Sequence, residues 1–243
     1  MRATGRLVHK VIHETAKSIA PGVTTGELED IATSLLAANG ASSPCLGYSP
    51  GGHPPYPAWT CISVNEEIVH SIPGRRALKE GDIVTIDVCA ELDGWLADSA
   101  WTFPVGEISS QAARLLRVTE DSLFKGIAQA KAGNRTGDIG YAVQRYAESN
   151  GYSVVRELHG HGVGRSMHEG DIHIPNYGSR GRGLPIQAGM TFAIEPMINA
   201  GRKDIECLED GWTIITADKT LSAHFEHTVA IGPDGAEILT NGE

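Results

Sequence analysis

The chain has 243 residues, 41% of them hydrophobic, and a formal net charge of −10. That is material for one large domain or two small ones with a proper core, and the acidic balance excludes nucleic acid or an anionic membrane as the main partner. The cysteines Cys45, Cys61, Cys89 and Cys207 contain no Cys-x-x-Cys pair, which leaves neither a disulfide scaffold nor a thiolate zinc site.

Free thiols suit a reducing compartment. No run reaches the apolar length of a membrane span, and the first residues lack the apolar core of a signal peptide. The cytoplasm is the expected location.

In chain order, Leu7, Val8, Val11, Ile12 and Ile19 recur at helical spacing, which predicts a helix over 4–19 that Pro21-Gly22 stops. A second helix follows the capping box Thr24-x-x-Glu27. Its stripe is Leu28, Ile31, Ala32, Leu35 and Leu36, and Asn39-Gly40 closes it. Residues 43–60 are dense in Pro, Gly and aromatics, the composition of a structured loop that lines a site.

Ile83, Val84, Ile86 and Val88 form a β-branched run, Asp93-Gly94 is a hairpin turn signal, and Trp95–Phe103 reads as the returning strand. A two-residue turn sets Leu92 opposite Trp95, Asp87 opposite Ala100 and Cys89 opposite Asp98. Asp87 and Asp98 then share one sheet face as diagonal neighbours, about 7–8 Å apart. Taken alone, such a pair fits a solvated hairpin face.

The second half of the chain echoes the first. Residues 21–41 line up with 132–152, pairing Thr25-Gly26 with Thr136-Gly137 and Asn39-Gly40 with Asn150-Gly151. LKEGDIVTIDV (78–88) resembles IQAGMTFAIEP (186–196), which places Asp87 on Glu195. LADSAWTFPVGE resembles HFEHTVAIGPDG, which sets Asp98 against Glu226. Two similar halves, roughly 1–108 and 109–243, are therefore expected within a single catalytic domain spanning 1–243, with four carboxylates meeting at one central site.

Histidines gather at His159, His161, His168 and His173 in a glycine-rich stretch. Carboxylates with an imidazole and no thiolate suit Mn, Fe(II), Co or Zn. Two such ions, about 3.5–4 Å apart, would turn a bridging water into a nucleophile, and a second histidine could donate to the developing oxyanion.

Seven motifs fall between Cys61 and Ile231: CISVNEEIVHSIPG, GDIVTIDV, DGWLADSAWTF, GHGVGRSMHEG, GMTFAIEPMINAG, DGWTI and SAHFEHTVAI. Together they resemble the type I methionine aminopeptidases. The resemblance implies an α+β fold of the pita-bread type, with two pseudo-symmetric halves and an antiparallel sheet covered by helices. It implies removal of initiator methionine from nascent chains whose second residue is small, with transient ribosome contact and a monomeric state.

By motif, Asp87, Asp98, His161, Glu195 and Glu226 resemble the ligands of two divalent ions (Co, Mn, Fe or Zn), with Asp98 and Glu226 bridging. Glu195 is expected also to assist proton transfer. His168 matches the histidine that contacts the scissile carbonyl, and His70 the one that bonds the substrate backbone. Cys45, Tyr48, Tyr56, Cys61 and Trp212 fall where the family lines its methionine pocket. Met167 stands where the family carries an aromatic, and His173 matches no family role. The alternative is a relative of other specificity, an Xaa-Pro aminopeptidase or prolidase.

Overall fold

The computed structural model describes residues 1–242. Helices α1 (Arg2–Ala16) and α2 (Thr25–Ala38) lead into strands β1 (Cys61–Val64), β2 (Glu67–Val69), β3 (Ile83–Leu92) and β4 (Trp95–Pro104). Helices α3 (Ser110–Ile127) and α4 (Thr136–Ser149) repeat the pattern. They lead into β5 (Ser153–Val154), β6 (His159–His161), β7 (His173–Pro175), β8 (Thr191–Ile194), β9 (Met197–Asn199) and β10 (Ile205–Cys207). The chain ends with β11 (Ile214–Thr216), β12 (Ser222–His224), β13 (Glu226–Ile231) and β14 (Ala236–Ile238). No helix among the described residues is long and apolar enough to cross a membrane.

The local signals explain the element ends. At the start of α2 the Thr24 hydroxyl accepts from the Glu27 N–H, and the Glu27 carboxylate accepts from the Thr24 N–H at 2.8 Å. These bonds satisfy donors that a helix start leaves orphaned. At its far end Gly40 takes a φ of 70°, a left-handed turn that glycine adopts without Cβ strain. Helix α1 stops three residues short of the expected end. Ser18 and Ile19 donate three residues back, to Thr15 and Ala16, so the chain tightens and leaves the helix. Ile19 still packs on the core, and that burial, from a turn, mimicked helical periodicity.

The sheet runs β1-β3-β4-β13, all antiparallel neighbours, and continues through β8 and β14, which both pair with β13. The β3–β4 hairpin has the expected register, Leu92 opposite Trp95 through Asp87 opposite Ala100. Alternation then sorts the faces. Ile86, Val88 and Ala90 pack with Leu7, Val8, Val11 and Ile12 of α1 and with Ala32 and Leu36 of α2. In the second half Phe192, Ile194 and Val229 pack with Leu115 and Leu123 of α3 and Ile139 and Val143 of α4. Each fully buried aliphatic or aromatic contributes about 1.5–3 kcal/mol. All four helices therefore cover one face, and the acidic side chains lie on the other.

The halves meet at β4 and β13, and hydroxyl groups stitch that seam. Thr102 Oγ1 donates to His224 O at 2.8 Å and accepts from His224 N at 3.0 Å. Thr228 Oγ1 does the same to Asp98, at 2.8 Å to O and 2.9 Å from N. The two clasps are images of each other. They equate Thr102 with Thr228, Asp98 with His224 and Ala100 with Glu226. The strand pairs agree: Val84 opposite Phe103 is matched by Phe192 opposite Val229, and Ile86 opposite Trp101 by Ile194 opposite His227. Asp87 keeps Glu195 as its counterpart. The match of Asp98 with Glu226 is thus corrected by two residues. A slip of two leaves every side chain on its own face, so alternation cannot reveal it.

Candidate active site

Register alone brings the acids together. Cys61 on β1 faces Asp87 on β3, Asp87 faces Ala100 on β4, and Ala100 faces Glu226 on β13. The row points to the face away from the helices. Asp98 lies two residues along β4 on that same face. Between Asp87 and Glu226 stands only the small, fully buried Ala100. Asp87, Asp98 and Glu226 line a cavity of about 360 Å³ that also includes His70, His161, His168 and Glu195 in its wall.

His161 arrives from β6. A Cβ on the preceding Gly160 would lie 2.3 Å from Ala193 O, so only glycine lets the ribbon sit so close to β8. His161 directs Nδ1 to Gly162 O at 3.1 Å, which leaves Nε2 for the cavity. There Nε2 lies 3.8 Å from Asp98 Oδ2 and 3.7 Å from Glu195 Oε1. One ligand atom each of Asp98, His161 and Glu226 fall within 4.8 Å of one another. His168 sets its ring 4.2 Å from that of His161, tilted by 47°, and shares a 3.0 Å hydrogen bond between Nδ1 and the Tyr48 hydroxyl. His70 sits at the far wall with a φ of 59°, its ring edge-on to Trp212.

Burial dominates the electrostatics. It raises the Asp98 carboxyl to about 6. Burial, with repulsion from neighbouring carboxylates, holds Asp87, Glu195 and Glu226 well above the usual range. Burial also lowers His70 and His168 to about 4 and lowers His161, so these imidazoles are neutral at pH 7. It raises the nearby Cys45, Cys61 and Cys89 thiols as well. Asp98 Oδ1 and Glu226 Oε1 are buried with no hydrogen-bond partner. Crowded, unpartnered carboxylates beside neutral imidazoles fit a divalent cation.

The five expected pocket residues also converge. Tyr56, Cys61 and Trp212 are buried in one cluster, with Cys45 and Tyr48 packed against it. Tyr56 turns its hydroxyl away, to Thr60 O and Ser71 O at 3.0 Å each, and presents its ring 5.2 Å from Trp212. Trp212 Nε1 donates to Pro54 O at 2.8 Å. Met167 reaches the same wall, its sulfur 4.0 Å from Cys45 Sγ.

Other residues of these motifs play local parts. The Glu169 carboxylate accepts the Arg165 N–H and so braces the turn before His168. His173 faces His159, Nδ1 to Nδ1 at 3.4 Å. Sequence reasoning missed His224, which is 2% exposed and lines the cavity beside Glu226. Its place two residues before Glu226 in HFEH was the available signal.

The model of metallopeptidase family M24 matches residues 1–233. Methionine aminopeptidase B of Synechocystis sp. is 47% identical over 99% of this chain and 88% of its own length. Methionine aminopeptidase 1 of Bacillus subtilis is 48% identical, covering 99% and 94%. The crystal structure of methionine aminopeptidase from Rickettsia prowazekii superposes with a TM-score of 0.95 at 43% identity, covering 98% of this chain and 94% of that one. A prolidase from Pyrococcus horikoshii shares the pita-bread fold alone, at 20% identity and a TM-score of 0.77, with 61% of its chain covered. A carboxylate-and-imidazole floor beneath an apolar pocket, in a chain this similar over its full length, therefore belongs to metallopeptidase family M24, among its methionine aminopeptidases.

Proposed function

We propose that this chain removes the N-terminal methionine from peptides and nascent polypeptides with a small second residue. It would work as a monomeric single catalytic domain in the cytoplasm, with transient ribosome contact. Asp87, Asp98, His161, Glu195 and Glu226 would hold two divalent ions (Co, Mn, Fe or Zn). When bound, the ions supply a water of lowered pKa and polarise the scissile carbonyl.

The chain's own groups do the rest. With Nδ1 tied to Tyr48, His168 has Nε2 left for the carbonyl oxygen, where charge develops. His70, neutral and fixed beside Trp212, would hydrogen-bond the substrate backbone. Glu195 would carry the proton from the water to the leaving amine. Cys45, Tyr48, Tyr56, Cys61 and Trp212 would enclose the methionine side chain, whose thioether gains from contact with aromatic rings.

One observation carries this reading: Asp98, His161 and Glu226 bring ligand atoms within 4.8 Å of one another at the floor of that apolar pocket. The test is an assay of Met-Ala-Ser against Xaa-Pro peptides. Release of methionine, lost on chelation and restored by added metal, is expected. Preference for the Xaa-Pro peptide would move the chain to a prolidase-like specificity.

A further inference from the structure

His224 ends β12 with its side chain almost wholly enclosed, 2% exposed, and neither ring nitrogen has a hydrogen-bond partner. A buried imidazole without partners is rare, because such groups forfeit their bonds to water. Its Nε2 lies 3.9 Å from Glu226 Oε2 and 4.0 Å from Glu195 Oε2. Those spans are too long for hydrogen bonds. They match the 3.8 and 3.7 Å that separate His161 Nε2 from Asp98 and Glu195. Two atoms each about 2.0–2.2 Å from one ion are separated by up to roughly 4.2 Å, so both histidines stand at ligand spacing from their carboxylates. Glu195 lies between them, Oε1 toward His161 and Oε2 toward His224. The seam adds an independent reason. Its two hydroxyl clasps make His224 the image of Asp98.

We propose that His224 is an additional ligand of the metal centre, bound through Nε2 beside Glu195 and Glu226, so that each of the two ions carries an imidazole. The proposal rests on the two-ion reading above and adds one nitrogen donor to it. A nitrogen donor there favours Zn, Co or Fe(II) over Mn.

Zinc loading tests it without reference to turnover. The purified chain is loaded with Zn(II), and zinc per chain is measured together with the X-ray absorption fine structure at the zinc edge. Two zinc ions per chain with an average of about one imidazole per zinc is the expected result. Two ions with about half an imidazole per zinc would overturn the role of His224 and leave the two-ion centre standing. A single ion per chain would sink both. In equilibrium dialysis, His224→Gln should keep one ion and bind the other at least tenfold more weakly. Zinc affinities equal to those of the unaltered chain would overturn the proposal.

Discussion

Asp98 is the residue on which the centre converges. It neighbours His161 and Glu226, and its carboxylate has a buried oxygen without a partner. Replacing Asp98 or Glu226 with Ala should remove bound metal and lower peptidase activity by about 10³-fold or more, beyond the loss of a single oxyanion donor. Metal analysis of each purified variant, beside its rate, checks this; full turnover by a metal-depleted variant would end the dinuclear reading. That Asp87, Asp98, His161, Glu195 and Glu226 line one cavity was legible from the internal repeat and from the motifs that resemble the family, since the two hairpin acids taken alone fit a solvated face. His224 was not, because matching acid to acid paired Asp98 with Glu226 instead.

Among the elements, the hairpin of β3 and β4 was readable to the residue, since the two-residue turn at Asp93-Gly94 dictates every pair that follows. The ends of α2 were equally readable from its box and its glycine. The seam was not, because the hydroxyls of Thr102 and Thr228 act across more than a hundred residues of sequence and follow no local pattern. Thr228→Val tests their weight. It keeps the shape and strands the Asp98 N–H and carbonyl in a buried place, which should cost about 1–3 kcal/mol. The urea midpoint should drop while the slope of the transition stays unchanged. An unchanged midpoint would mean that the ladder on either side suffices.

For the molecule as a whole, the acidic centre makes metal and pH trade against each other. The folded pKa of Asp98, about 6, is above the ordinary 3.8. The stability this group lends the metal-free fold is therefore fully present below about 3.8 and lost as pH rises through about 6. A cation reverses that loss, since it takes the ionised form. The stabilisation gained from metal should thus be large at pH 7 and shrink toward pH 5, by about 1.4 kcal/mol per pH unit for each carboxyl that must lose a proton. Melting temperatures of loaded and chelated protein between pH 5 and 7.5 check it; a gap that does not narrow on acidification would show that the carboxyls are already ionised without metal.

Ala100 and Glu226 occupy equivalent places in the two halves, yet one is a methyl group and the other a carboxylate. Two identical polypeptides related by a rotation axis could offer only matching side chains there, either two carboxylates in contact or none. Joining the halves in one gene frees each place to change by itself. The asymmetry of this centre, with an acid on one strand and a methyl group opposite it on the other, is out of reach for two identical chains.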